Sequence, residues 1–381
     1  MNSKPTPLAI FLALPASFAA LAQLSAQTTD VNWTGGGTND FWSNSANWSG
    51  SGNIPDANDE VARYLGFPDV DINVNSNFTI NSYLDGFDGA GNKTTFSGTG
   101  VLTIDRNSTG FGAGVTNATG NAGGTLNFSA DVTIDNTGGG TTSVLNTNSA
   151  GNTTEFATGG TLTLNTILET RSNNAGSSHQ FNGTLAGGAN LVLSSDNVSF
   201  GSGHDSSGYS AQVVFNPNSK LAIDGGTVLN SNANSRFQIN GSNAELELNA
   251  ANAINDAGMS IAATNSFTLD VNANQQNMGF LNLGAGSLTL DLSAGVTDLW
   301  FSDSDTFDWT GGSIVISGFK ENTIRFGTNA TGLTQNQLDQ IDGGIYELTS
   351  QGYLTIPETS VSALLVGVSG MAFTVIRRPR R

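Results

Sequence analysis

Along the middle of the chain one arrangement recurs: a small or turn-forming residue, then apolar, polar, apolar. It falls at Leu102/Ile104, Leu126/Phe128, Leu162/Leu164, Leu191/Leu193, Leu221/Ile223, Leu246/Leu248, Phe267/Leu269 and Leu288/Leu290. The first members lie 24, 36, 29, 30, 25, 21 and 21 residues apart, a loose repeat in the range that marks solenoids. Period-two alternation predicts that each unit is a strand with one buried face. Between the units lie clusters such as Asn136 to Gly140 and Ser172 to Gly176, whose Gly and Asn suit positive-φ corners. Strands this short bury little alone, whereas stacked coils share one core. The predicted fold is therefore all-β, a parallel β-solenoid (β-helix) with short terminal caps. A pair of β-sandwiches is the alternative, because the spacing is irregular and Asn/Gly-rich loops also suit antiparallel sheets.

One helix is expected in the body of the chain. Thr334-x-x-Gln337 reads as a capping box, Leu338 and Ile341 share a face, and Gly343 is placed to end it. Such a helix would cap the end of a solenoid and shield its open edge.

The two ends differ from the middle. Lys4 followed by the apolar, small-residue-rich stretch Leu8 to Leu21 reads as a secretory signal peptide, cut after Ala22 or Ala26. At the other end Val361 to Ile376 is an apolar run of 16 residues flanked by Arg377, Arg378, Arg380 and Arg381. That is slightly short for a bilayer-crossing helix, but arginine flanks that snorkel extend its reach. The positive-inside rule puts the arginines in the cytoplasm and the bulk outside. The expected organisation is residues 1–26 signal peptide, 27–98 N-terminal cap and first strands, 99–297 solenoid, 298–355 C-terminal cap, and 356–381 a tail with a transmembrane helix.

The tail resembles the PEP-CTERM sorting signal, with Pro357-Glu358-Thr359-Ser360 where that family has Pro-Glu-Pro-Ser. Ile356-Pro357-Glu358-Thr359-Ser360 is also similar to a sortase motif, Leu-Pro-Glu-Thr-Gly. Either resemblance implies an exosortase-like or sortase-like processing enzyme as partner, transient membrane anchoring through the C-terminal helix, and delivery to the cell surface or extracellular matrix. A plain anchor that is never cut is the third reading. Gly188-Ala189-Asn190-Leu191-Val192-Leu193, Ser207-Gly208-Tyr209-Ser210 and Lys220-Leu221-Ala222-Ile223 resemble one unit of the autotransporter-associated β-strand repeat. Trp33-Thr34-Gly35-Gly36-Gly37, Phe41-Trp42 and Asn47-Trp48 resemble the start of such proteins. That likeness implies a secreted repeat protein and carries little chemistry.

Composition narrows the partners. There is no Cys, charged residues make up 12%, and the formal net charge is −18, more negative still once Lys4 and the terminal arginines are removed. No disulfide framework is available, so stability must come from packing. Nucleic acid is excluded as a partner, because phosphate binding needs basic stripes. Calcium is the natural counterion of such a surface.

Reactive groups are thin. His179 and His204 sit among Gly, Ser and Asn and read as solvated loop residues. No Gly-x-Ser-x-Gly elbow supports a serine nucleophile. Asp303, Asp305 and Asp308 are a candidate calcium site, if alternation continues and puts Asp303 and Asp305 on one strand face. Asp69 and Asp71 read as the polar face of a strand. Asp85 to Thr94 is a near miss for a phosphate-binding loop and reads as a Gly-rich hairpin turn. Trp33, Trp42 and Trp48 are either end-cap core or a glycan-stacking platform. The functional expectation is a non-enzymatic surface or matrix protein, without cofactor unless calcium, associated with extracellular polysaccharide or adhesion. A polysaccharide-lyase-like β-helix enzyme and a tryptophan-based glycan-binding module are the alternatives.

Overall fold

The computed structural model describes residues 29–49, 54–66, 69–86, 91–106, 114–117, 123–139, 141–172, 174–194, 197–226, 236–262 and 264–357. The expected signal helix and the transmembrane helix lie outside these residues, and no helix among them is long and apolar enough to cross a membrane.

The chain winds as a parallel β-solenoid with three sides. A coil in the middle of the stack runs Thr142–Thr147 on the first side, Thr153–Phe156 on the second and Thr161–Leu164 on the third. It then returns to the first side at Ile167–Ser172, in register with Thr142–Thr147 one coil earlier. The first side collects 12 strands and the second 11. The third has five early strands, ending at Thr184–Gly187, and resumes as three late ones at Gln275–Met278, Leu299–Phe301 and Ile324–Phe326. All these ladders are parallel except at Trp48–Ser49, which folds back on Thr29–Trp33. The ladders run without a break past residue 98 and past residue 297.

The irregular spacing in the sequence has a geometric origin. The first four apolar pairs come from different sides, whereas Leu221, Leu246, Leu269 and Leu290 stack directly on the second side. Phe267 sits in register with Ala244, two residues off the Leu246 column.

What holds the early coils together is one inward column of the second side. Phe96, Phe128, Phe156 and Phe181 occupy equivalent positions, with ring centroids 4.9, 5.1 and 5.3 Å apart and nearly parallel planes. Phe200 continues the column edge-on, and His204 stacks on Phe200 at 4.1 Å. Each of the first four rings follows a glycine by five residues: Gly91, Gly123, Gly151 and Gly176, all at positive φ. These glycines stack as well, so that a Cβ on Gly151 would sit 3.6 Å from the backbone of Gly123. The left-handed corner, rather than lack of space, is what calls for Gly. The expected hairpin at Asp85 to Thr94 is not formed: the flanking strands Ser82–Asp85 and Lys93–Ser97 lie on different sides and do not pair with each other.

The expected capping box is present. Thr334 Oγ1 accepts from the Gln337 amide, and Gln337 Oε1 accepts from the Thr334 amide at 2.7 Å. The helix is one turn, Gln335–Leu338, and ends before Gly343. The chain after it adds a rung to the second side, where Ile341 bridges Ile314. The antiparallel pair Glu347–Leu348 and Leu354–Thr355 closes the body.

Phe128 is fully buried between two stacked rings. Phe128→Ala is expected to cost about 3–5 kcal/mol, read as a fall in the thermal midpoint. The exposed Val315→Ala should leave the midpoint nearly unchanged.

Candidate functional surfaces

Where the first side meets the second, the early coils bury mainly polar groups. Asp85, Asn117 and Thr147 stack on successive coils, near a second-side column that runs Thr94, Leu126, Thr154 and His179, and all of these are buried. The Asn152 amide ties the corner by donating to Asn117 Oδ1 at 3.2 Å while its oxygen accepts from the Gly124 amide at 2.8 Å. His179 Nε2 lies 3.1 Å from the Arg171 carbonyl; a carbonyl only accepts, so that nitrogen carries the proton. Nδ1 then accepts from the Thr147 hydroxyl at 3.5 Å, and Thr147 in turn accepts from Thr154 at 3.2 Å. Burial pushes His179 down to about 4, and His204 likewise. Both histidines are therefore neutral interior residues, not solvated ones. Burial drives Asp85 the other way, up to about 7, against the hydrogen bonds from Thr94 and Tyr83 that favour its charged form.

The N-terminal tryptophans pack on each other and on the phenylalanine column. Trp33 and Trp48 meet edge-on at 4.9 Å, Trp48 and Trp42 at 4.7 Å, and Trp42 lies 6.1 Å from Phe96. Trp42 Nε1 donates to the Pro55 carbonyl and Trp48 Nε1 to that of Trp42. With exposures of 4, 0 and 5%, Trp33, Trp42 and Trp48 are end-cap core and offer no open ring face for a sugar.

The acidic candidates separate. Leu299–Phe301 stops at Phe301, so Asp303, Asp305 and Asp308 lie in exposed turns and share no strand face. Alternation fails there because Gln337 Nε2 captures the carbonyls of Ser304 and Phe307, at 2.7 and 2.8 Å, and bends the chain inward. Asp308 accepts from the Thr310 amide. Among the described residues no group of three or more His, Asp or Glu is arranged to hold a metal. Asp71, by contrast, lies on the outer face of the strand Val70–Asn73, exposed, as the alternation predicts.

Basic groups are held in separate places. Arg63 pairs with Asp30 at 3.0 Å and Arg171 with Glu169 at 2.7 Å. Lys220 lies 2.8 Å from both Glu245 and Glu247. Partial burial opposes its charge, but the two carboxylates outweigh that and hold the ammonium above its usual range, the wrong direction for a general base.

A groove on the outer face of the late third side escaped the sequence reading. Trp300 and Arg325 are register partners on adjacent coils, and Tyr353 bridges Arg325 from the closing pair. The guanidinium carbon lies 4.8 Å from the Trp300 ring centre and 5.5 Å from that of Tyr353. Beside this stack opens a cavity of about 340 Å³, edged by Gln276, Asn277, Asp303 and Thr328. Arg63, Arg106 and Arg171 each hydrogen-bond to a protein acceptor. The Gln212 amide, with its oxygen turned to Arg236, accepts from it at 3.0 Å. Arg325 stands apart among the described arginines in having two aromatic rings for neighbours and no described carboxylate within ion-pair distance.

Of the sorting motif, Ile356 is exposed and Pro357 half-buried. Glu358, Thr359 and Ser360 lie outside the described residues, as do Arg377, Arg378, Arg380 and Arg381. No protein-family model, no curated protein and no solved structure matches this chain.

The buried titrating groups oppose one another. Between pH about 4 and 6.5 the unfolded chain binds protons at His179 and His204 that the folded chain refuses, so both contributions to stability fall as pH drops through that window. Between 3.8 and about 7 folded Asp85 keeps a proton that the unfolded chain loses, so its contribution falls as pH rises. Asp85→Asn, a mimic of the protonated form, should match the parent near pH 4 and exceed it at pH 8 by on the order of 3 kcal/mol. Thermal midpoints at the two pH values check this.

Proposed function

We propose that this chain is a secreted, non-enzymatic protein of the cell surface or extracellular matrix. In this reading it is sorted through its tail by an exosortase-like or sortase-like enzyme and associates with extracellular polysaccharide. The observation that carries the reading is where the folded body closes. Leu354 is buried in the last rung, while the Thr355 hydroxyl and the Ile356 amide both donate to the Glu321 carboxylate, at 2.6 and 3.2 Å. Pro357 follows at once, so every ladder, cap and buried ring among the described residues precedes Glu358. A cut within the Pro-Glu-Thr-Ser segment would remove none of the described strands, as a processing site requires of the body it releases.

Composition and form support the same role. A long parallel stack presents extended side faces, and the high negative charge keeps such a surface soluble. The outer column Glu247, Asp270 and Asp291 shows the charge directed outward on successive coils. Burial first, and the neighbouring carboxylates second, hold Asp270 above its usual range.

Mass spectrometry of the C-terminal residue, on protein recovered from cell-envelope and culture fractions, tests the proposal. The expected result is an end within Ile356 to Ser360, with Thr359 indicating sortase-like chemistry. An intact Arg381 in every fraction would overturn the sorting claim.

A further inference from the structure

We infer that the groove beside Trp300, Arg325 and Tyr353 binds a carboxylate-bearing sugar residue, a uronic acid unit of an extracellular polysaccharide. This rests on the polysaccharide association proposed above and names its site.

The argument starts from Arg325. Its guanidinium carbon sits over the Trp300 and Tyr353 rings, at 4.8 and 5.5 Å from their centres, which orders the side chain without using its Nη donors. Among the described residues no carboxylate lies within ion-pair distance of it, although acidic residues outnumber basic ones 31 to 13 in the sequence. A guanidinium held against rings offers a fixed in-plane fork, and the acceptor that matches the fork is a planar carboxylate. The surroundings are those of a sugar. Gln276, Asn277, Asp303 and Thr328 ring the cavity with donors and acceptors for hydroxyl groups, and aromatic edges supply apolar contact. About 340 Å³ matches the low end of small-ligand sites. The chain's overall negative charge does not forbid an anionic ligand, because charges beyond about 8 Å are largely screened at physiological ionic strength. Locally one free guanidinium meets one rim carboxylate, Asp303. Asp303→Asn should therefore bind a uronate more tightly.

The test titrates the full-length protein with short oligomers of a uronic acid and, separately, with neutral oligosaccharides of the same length, by calorimetry. Saturable binding of the uronate and at least about tenfold weaker binding of the neutral series are expected. Arg325→Gln should weaken uronate binding by about the same factor. Arg325 also packs against two rings, so Thr328→Glu provides a second arm: it adds a rim carboxylate, leaves the stack in place, and should weaken uronate binding as well. Equal binding of the two series, binding of neither, or uronate binding unchanged in both variants overturns the inference. Tail processing is read separately from the C-terminal residue, so failure here removes the groove and leaves the proposed sorting to stand on its own test.

Discussion

The structure depends on a match between two distances. Adjacent parallel strands lie about 4.8 Å apart, and aromatic rings stack favourably with centroids about 4.5–7 Å apart. A phenylalanine at the same inward position of successive coils therefore stacks at 4.9 to 5.3 Å without bending the backbone. The column sets the register, because a one-residue slip would turn Phe128 or Phe156 outward. The left-handed glycine five residues earlier fixes where each corner turns into that strand. The Trp42 ring extends the same column into the cap, so the N-terminal tryptophans are the last layer of the core.

The polar seam follows from the same register. Once the phenylalanine takes one inward position, the position two residues before it falls at the corner, close to the first side. Thr94, Thr154 and His179 stand there, with Leu126 between the first two, and Asp85, Asn117 and Thr147 line the adjoining first side. Hydrogen bonds along the chain Thr154, Thr147, His179 and the Arg171 carbonyl offset much of the desolvation. Asp85 holds the least favourable place, since among the described residues a charge there has no cation to pair with.

The general architecture was legible in the sequence, and the details that failed share a cause. Alternation of apolar residues identified strands and a solenoid, but it skipped the strands at Lys93–Ser97, Thr153–Phe156 and Ser178–Phe181, whose first inward residue is Thr or His. Gly-x-x-x-x-Phe, present four times from Gly91 to Phe181, marks those strands directly. The histidines were misplaced because Gly, Ser and Asn were taken as signs of solvent, whereas a corner of stacked coils can turn inward. The Asp303 region went wrong because alternation was carried past Phe301. Tertiary contacts stop the strand there: Gln337, 33 residues on, takes the Ser304 carbonyl, and the Gly332 carbonyl takes the Ser304 amide. Trp300, Arg325 and Tyr353 are 25 and 28 residues apart, and no local pattern joins them until register places them side by side.

In a solenoid, then, inward columns specify the fold and outward columns are left for recognition, and the two can change independently. The outward column at Trp300 lies at a particular end of the stack. Tyr353 completes it, and Ile356, three residues later, is held by Glu321. The groove and the start of the proposed sorting segment therefore share the last rungs. Attachment through the tail would hold the groove at the anchored end and project the tryptophan cap away from it. A carboxylated polymer bound there would lie along the surface to which such attachment fixes the protein, which would place both proposed contacts on the same layer.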